Sequence, residues 1–255
     1  APSNPLIVYM TVDTSRVWKS TDGGRSWQLK SRGFLAQGGV SIVVDPSDEN
    51  IVLVAGSLHG IWSPTAQSPA DGIWRTSNGG ESWTQVRPTH FKRQRTGVHF
   101  AFLGTDGTVY AATHDDGILK STDHGTTWTA LGLLTGQLLS DIKAEPGGGG
   151  VLVAAPTGLY RINTSGPPVA QRLGLGLPAA PAAVVVHPTD SRTIYVTVQT
   201  RGVYKSSNSG VDFVQKSIGL DAVFAASSAA RVSYLAISPQ NPLRLYVAFH
   251  GLWRR

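Results

Sequence analysis

The chain has 255 residues, a formal charge of +6 and a pI near 9.7, and only 15% of its residues are charged, while 29 Gly and 15 Pro interrupt it throughout. That is the profile of an all-β domain with short strands and many turns, at a length compatible with one domain over residues 1–255. Zero Cys excludes disulfides and thiolate metal sites, no stretch reaches the roughly 18 consecutive apolar residues of a membrane span, and Ala1-Pro2 opens without a typical signal peptide, as in a processed or trimmed chain.

Strand-like segments recur in a fixed order. A Pro- or Gly-containing turn followed by a β-branched run begins at Ala1, Asp45, Leu103, Glu145, His187 and Ser238. Behind most of these comes an apolar or aromatic couplet and then a polar turn. The spacing is roughly 40 to 58 residues, the length of a four-stranded propeller blade. In the second unit, Val40 to Val44 reads as the innermost strand a, Ile51 to Gly56 as b, Ile73 to Thr76 as c and Ser82 to Val86 as d. Later a strands are expected at Val98 to Leu103, Ile142 to Ala144, Ala183 to Val186 and Ser233 to Ile237. The b strands follow at Val109 to Thr113, Val151 to Ala155, Ile194 to Val198 and Leu245 to Phe249.

The polar turn has a grammar. It reads Ser20-Thr21-Asp22-Gly23-Gly24-Arg25-Ser26-Trp27, then Thr76-Ser77-Asn78-Gly79-Gly80-Glu81-Ser82-Trp83, then Ser121-Thr122-Asp123-His124-Gly125-Thr126-Thr127-Trp128. Ser206-Ser207-Asn208-Ser209-Gly210-Val211-Asp212-Phe213 is weaker, and Leu159 to Thr164 is a decayed fifth copy. An Asp or Asn side chain there can accept backbone N–H groups, Gly supplies positive φ, and the hydroxyls tie the hairpin. The closing Trp is expected between neighbouring sheets, with one N–H to satisfy. A structural turn is thus expected in preference to Asp22 and Asp123 as catalytic acids.

At these residues the chain resembles the Asp-box (bacterial neuraminidase repeat) propellers, whose motif is Ser-x-Asp-x-Gly-x-Thr-Trp. Ser20, Asp22, Gly24, Ser26 and Trp27 fit it, as do Ser121, Asp123, Gly125, Thr127 and Trp128. Thr76, Asn78, Gly80, Ser82 and Trp83 fit with two conservative departures, and Asn208 and Gly210 keep part of it. The resemblance implies an all-β propeller of four-stranded antiparallel blades: five repeats plus a partial sixth, part of a six- or seven-bladed propeller. For function it leaves sialidases, two-propeller xyloglucanases, sortilin-type receptors and photosystem II assembly factors open, because fold does not fix function. Ala1 to Lys30 supply strands b, c and d of one blade and Arg231 to Arg255 supply a, b and c of another. Either the chain is a segment of a longer propeller, or the terminal blades are incomplete and a partner covers an edge.

In such a blade the a–b and c–d turns share one end, and the b–c and d–a connections share the other, where ligands usually meet a propeller. Ten of the 16 acidic residues belong to the turn end, leaving Asp13, Asp71, Asp115, Asp116, Asp141 and Asp221 as acid/base candidates. A sialidase would need an arginine triad, a Tyr activated by Glu and a Phe/Tyr-Arg-Ile-Pro segment; that segment is missing and all three Glu lie at the turn end. A two-carboxylate glycosidase needs its pair roughly 5 to 9.5 Å apart. Asp115 and Asp116 are adjacent in a tight turn that they are expected to shape.

Binding is expected at the connection end of the second blade. Trp62 is the one Trp outside the repeat, in a long b–c connection that elsewhere is short (Thr113 to Gly117, Pro156 to Gly158, Gln199 to Gly202). It either plugs its own blade or stacks on a sugar or anchors a partner. Beside it, His90, Lys92, Arg93 and Arg95 form the densest basic cluster, open to an acidic glycan, a lipid headgroup or an acidic protein surface, or simply a solvated loop. His59 joins this set. His59, His90, His114 and His250 can reach the connection end, but no metal-ligand spacing occurs, and no cofactor is expected. Nucleic acid is disfavoured, since one short cluster lacks multiple phosphate contacts and stacking platforms. Gly147 to Gly150 reads as an a–b turn, and Leu177 to Ala183 and Ala222 to Ala230 as connectors. The expected function is a non-catalytic, extracytoplasmic binding or scaffold module for a protein or glycan. The alternatives are a xyloglucanase-like glycoside hydrolase and an accessory subunit or assembly factor associated with a membrane complex.

Overall fold

A computed structural model describes residues 1–12, 16–57, 68–89, 98–218 and 231–250. The chain divides into two compact units, Ala1–Leu139 and Ser140–Arg255. Among the described residues there is no helix long and apolar enough to cross a membrane, and indeed no α-helix.

The first unit holds three antiparallel sheets in which each strand pairs with the next in sequence. The first comprises β1 (Val8–Val12), β2 (Arg16–Ser20) and β3 (Gln28–Leu29). The second comprises β4 (Gly38–Val44), β5 (Val52–Ser57), β6 (Gly72–Thr76) and β7 (Thr84–Pro88). The third comprises β8 (His99–Phe102), β9 (Val109–Ala112), β10 (Ile118–Ser121) and β11 (Thr129–Ala130). The second unit repeats this plan in a fourth sheet of β12 (Asp141–Ala144), β13 (Gly150–Ala155), β14 (Gly158–Asn163) and β15 (Ala170–Leu173). A fifth has β16 (Pro181–His187), β17 (Asp190–Val198), β18 (Gly202–Ser206) and β19 (Val214–Gln215), and a sixth has β20 (Arg231–Ile237) and β21 (Leu245–His250).

In the second, third and fourth sheets the second strand is buried on both faces, which is why its sequence is a largely continuous apolar run rather than an alternating one. Every residue of β5, β9 and β13 is buried. Alternation survives as a division of labour. Val52 and Val54 pack with Tyr9, Val17, Phe34, Trp74 and Trp83, while Leu53 and Ala55 turn to Val98, Phe100, Val109, Ala111 and Leu119. One strand therefore joins two sheet-to-sheet interfaces. In the second unit Leu152 and Leu159 pack on Val184, Val186, Ile194 and Val196, and Ala183 and Val185 on Leu235. Strands β3, β11 and β19 have two residues each and are exposed, so the edges of these sheets offer little backbone for unwanted pairing.

The strands differ from the sequence expectation at their margins. Ser82 and Trp83 belong to the turn, and β7 begins at Thr84. Strand β16 starts at Pro181, inside the segment read as a connector; a first strand residue needs no N–H, so Pro is tolerated there. Asp13, Asp221 and Trp253, and the segment Ala222 to Ala230, lie outside the described residues.

Candidate functional site

At the turn end the polar groups saturate one another. The Asp22 Oδ1 atom accepts the Arg25 and Ser26 N–H groups at 2.9 Å each and the Ser20 hydroxyl at 2.7 Å, while Oδ2 accepts the Ser26 hydroxyl at 2.6 Å. The Ser20 oxygen in turn receives the Gly24 N–H at 2.8 Å, and Trp27 Nε1 donates to the Gly24 carbonyl at 3.1 Å. Asp123 repeats this with Ser121, Thr126 and Thr127, and Trp128 Nε1 closes on the Gly125 carbonyl. Asn78 and Asn208 keep the acceptor: Ser82 N–H reaches Asn78 Oδ1 and Asp212 N–H reaches Asn208 Oδ1, both at 3.0 Å. Their amides donate to Ser82 Oγ and Asp212 Oδ2. Donors from Ser26 and Ser20 hold the Asp22 carboxyl well below the ordinary carboxylate range. Burial pushes Asp123 up, but the N–H and hydroxyl of Thr127 and the hydroxyl of Ser121 outweigh it and bring it to about 2. Each carboxylate thus takes three donors on Oδ1 and one on Oδ2 from its own turn.

The backbone explains the glycines and two exceptions to them. Gly23 and Gly24 (φ 72° and 92°) and Gly79 and Gly80 (φ 68° and 90°) are consecutive left-handed residues, but His124 (φ 56°) and Ser209 (φ 61°) hold the first of these positions without being glycine. That position sends its N–H to a carbonyl at or near the start of the strand that pairs with the one leading into the turn: Gly23 to Leu6, Gly79 to Asn50, His124 to Gly107 and Ser209 to Arg192, at 2.9 to 3.0 Å. In the decayed copy the Thr164 hydroxyl makes the substitute bond, to the Gly148 carbonyl.

Where the glycine is replaced, an arginine of the preceding sheet takes the carbonyl. Arg75 Nε donates to His124 O at 2.9 Å, and Arg161 Nη2 donates to Ser209 O at 3.1 Å. Arg161 is itself held by Glu145 through Nε and Nη2. His124 Nδ1 lies 2.7 Å from Oδ2 of Asp45, a side chain with no exposed surface. Burial raises the Asp45 carboxyl, but the bonds from Ser47 and His124 leave it lowered. The equivalent Lys19, Lys120 and Lys205 instead stand over Tyr9, Tyr110 and Tyr195 at 5.3 to 5.7 Å, at distances suited to cation–π attraction. Sequence reasoning missed this ladder. Its signal was the basic residue immediately before the Ser/Thr of four copies, and Arg161 at the same place before Ile162 in the decayed one.

The connection end differs. Asp71 is buried and accepts the Ser68 N–H through Oδ2. Asp141 is buried at the start of β12, where it accepts the N–H groups of Ile142 and Val184 and the Lys143 ammonium, tying β12 to β16. Asp115 and Asp116 do sit in a tight turn, closed by Thr113 N–H and Oγ1 on the Gly117 carbonyl at 2.7 and 3.0 Å. Each also has a partner: His114 Nδ1 lies 2.8 Å from Asp115 Oδ1, and Arg87 Nη2 donates to Asp116 Oδ2 at 2.7 Å. Arg87 comes from β7 of the second sheet, Asp116 from the β9–β10 turn of the third. Between them opens a recess of about 270 Å³ lined by Arg87, Pro88, Thr89, Asp115 and Asp116. Thr89 is 5% exposed and, among the described residues, its hydroxyl has no hydrogen-bond partner. His59, Trp62, His90, Lys92, Arg93 and Arg95 lie outside the described residues. Arg87 was not singled out by the sequence, because its partner is contributed by another repeat. Among the described residues no three His, Asp or Glu side chains gather as a metal site.

No protein-family model matches the chain, and no curated protein matches it in sequence. Solved structures do. A GH74 enzyme from Niastella koreensis is similar over 98% of this chain and 43% of its own, at 19% identity and a TM-score of 0.70. The extracellular domain of a putative hybrid two component system from B. thetaiotaomicron is similar over 96% of this chain and 31% of its own, at 9% identity and TM-score 0.59. YCF48 from Cyanidioschyzon merolae is similar over 96% of this chain and 89% of its own, at 13% identity and TM-score 0.52. The chain has a β-propeller fold. Its sheets are blades, and it spans less than half the length of the GH74 enzyme.

Proposed function

We propose that residues 1–255 form one Asp-box propeller domain that binds or scaffolds a protein or glycan partner outside the cytoplasm and is itself non-catalytic. The observation that carries this reading is the contrast between the blade ends. Turn-end carboxylates are consumed by the chain's own donors, with Ser20, Asp22, Gly24, Trp27, Ser121, Asp123, Gly125 and Trp128 as structural residues. Polar groups line an open recess between two blades at the connection end. Recognition there is assigned to the two long connections of the second blade, through Trp62, His59, His90, Lys92, Arg93 and Arg95. Likeness to an extracellular domain supports the location.

A variant combining Trp62→Ala with Lys92→Glu, Arg93→Glu and Arg95→Glu tests the reading in pull-downs from the native envelope fraction and on acidic and neutral glycans. Loss of partners with an unchanged unfolding midpoint is expected. Retention of every partner would remove the second blade from consideration. Two further readings have an observation each. The likeness to a GH74 enzyme of more than twice the covered length supports a glycoside hydrolase with catalytic groups contributed outside this chain. The likeness to YCF48 over most of both chains supports an accessory subunit or assembly factor of a membrane complex.

A further inference from the structure

We propose that the sixth sheet is a docking surface for the first sheet of a second copy of this chain, so that copies associate head to tail. This goes beyond the binding-module reading and does not depend on it. The repeat supplies its own comparison. In the fifth sheet Ala183 and Val185 face Thr197 and Tyr195 in register, so all four side chains share one side of the sheet. That side is covered: Ala183, Val185 and Tyr195 pack with Leu235, Ile237, Leu245 and Val247 of the sixth sheet, and Thr197 has no exposed surface. In the sixth sheet the same four positions are held by Tyr234, Ala236, Ala248 and Tyr246, with Tyr234 opposite Ala248 and Ala236 opposite Tyr246. All four are exposed, Tyr234 at 71% and Tyr246 at 60%. Tyr246 stands where earlier sheets have Tyr9, Leu53, Tyr110 and Leu152, each of them buried. The sixth sheet thus carries the side that its predecessors use to hold a following sheet, with two aromatic rings open to solvent. Where a stack of repeats ends, the outermost face is expected to be polar, and this one is not.

The occupant follows from what covers this side elsewhere. It is a sheet whose second strand turns aliphatic residues back toward its predecessor: Leu245 and Val247 do so for the fifth sheet, Ile194 and Val196 for the fourth, Val52 and Val54 for the first. The first sheet has the matching side. Its Tyr9 and Val17 pack toward the second sheet, so Val8 and Met10 alternate to the opposite side. Met10 is 38% exposed, and Leu29, on that side too because both residues lie opposite Trp18 in register, is 53% exposed. One copy therefore bears both halves of a contact that the chain already makes between its own consecutive sheets, an aromatic half on the sixth and an aliphatic half on the first. Tyrosine rings over a thioether and a leucine gain apolar burial and a favourable sulfur–aromatic contact, while their hydroxyls stay at the rim. Because the two halves differ, the contact is heterologous, and association continues from copy to copy unless it closes as a ring.

The test is sedimentation velocity of the intact chain over about a hundredfold range of concentration. The mass should rise with concentration and keep doing so at high salt, since an apolar contact is little screened. The double variant Tyr234→Lys with Tyr246→Lys should weaken association by about tenfold or more, the effect of losing aromatic anchors, and Met10→Lys should do the same from the other half. Mixed in equal amounts, these two variants should form a dimer and stop there, because one keeps only its first-sheet half and the other only its sixth-sheet half. Thermal midpoints of the dilute variants are compared with that of the dilute parent, and Leu29→Lys, at the more exposed place on the first sheet, replaces Met10→Lys if the latter does not fold. A parent chain that stays monomeric throughout overturns the proposal and leaves both sheets to other occupants. Association that persists unchanged in the first-sheet variants also overturns it, since two sixth sheets would then be meeting each other. So does a mixture that remains monomeric.

Discussion

The two ends of these blades spend their polar residues differently. At the turn end nearly every donor faces an acceptor of the same or the preceding sheet: Asp22 and Asp123 each collect backbone and hydroxyl donors, and Glu145 and Asp45 hold Arg161 and His124. At the connection end the second and third sheets share the half-buried Arg87–Asp116 ion pair beside a recess and, among the described residues, the Thr89 hydroxyl is left without a partner. The first pattern commits polar groups to the chain's own turns and converts them into stability. The second leaves groups available and gains little stability, since partly exposed pairs contribute about 0 to 1 kcal/mol. A substitution therefore has a diagnostic signature: turn-end changes should move the unfolding midpoint and leave binding alone, and connection-end changes should do the reverse.

The largest expected effect is at Glu145. Its side chain is 5% exposed and accepts Arg161 through both oxygens, and Arg161 links onward to the Ser209 carbonyl. Glu145→Ala strands a guanidinium at the junction of the fourth and fifth blades. Breaking a fully buried pair costs about 3 to 5 kcal/mol, and because Arg161 keeps some solvent contact the expected loss is about 2 to 3 kcal/mol. Urea denaturation gives the number. A loss no greater than that of Asp116→Asn would mean the two ends are not energetically distinct.

Next is Asp123. Asp123→Ala removes the acceptor for two N–H groups and two hydroxyls and should cost about 1 to 2 kcal/mol, discounted because the turn is partly solvated. Asp123→Asn should cost less, since Asn78 and Asn208 already hold equivalent turns. The pH dependence separates them further. The folded carboxyl titrates at about 2 against about 3.9 unfolded, so its stabilisation is complete above about pH 4 and is lost as pH falls toward 2. Acid unfolding followed by Trp fluorescence should be shallower across that window in Asp123→Asn. An unchanged acid limb would show that the carboxylate charge is not what the turn uses.

Much of this organisation is legible in the sequence because repetition supplies internal controls. Continuous apolar runs at Val52, Val109 and Val151 announce strands covered on both faces, and the Ser/Thr, Asp/Asn and Gly spacing marks the hairpins that begin at Ser20, Thr76, Ser121 and Ser206. What is not legible is anything made by two different repeats. Arg87 meets Asp116, and His124 meets Asp45 across 79 residues, only because adjacent sheets stack. Asp115 and Asp116 were legible as turn residues from the Gly117 that follows them. Their partnership with a recess was not, because a cavity has no local pattern.

The smallest effects are the most discriminating. His124 and Ser209 share one left-handed backbone position, and at both the N–H and the carbonyl are hydrogen-bonded to other backbone or arginine groups that a glycine would retain. Only the side chains separate them. For a residue other than Gly, this conformation costs about 1 to 2 kcal/mol, while Gly returns roughly 0.4 to 1 kcal/mol as extra entropy of the unfolded chain. Ser209→Gly should therefore be neutral or stabilising by up to about 1 kcal/mol. His124→Gly gains the same relief but withdraws the imidazole from Asp45, a carboxylate with no exposed surface that keeps only its Ser47 bonds. Loss of a buried charged bond is worth about 1.5 to 3 kcal/mol, so the net change should be a destabilisation of about 1 kcal/mol. Thermal unfolding of the two variants side by side reads the difference in sign. If both move the midpoint in the same direction, the Asp45–His124 contact contributes nothing beyond backbone geometry, and the ladder that joins the second and third blades reduces to Arg75 alone.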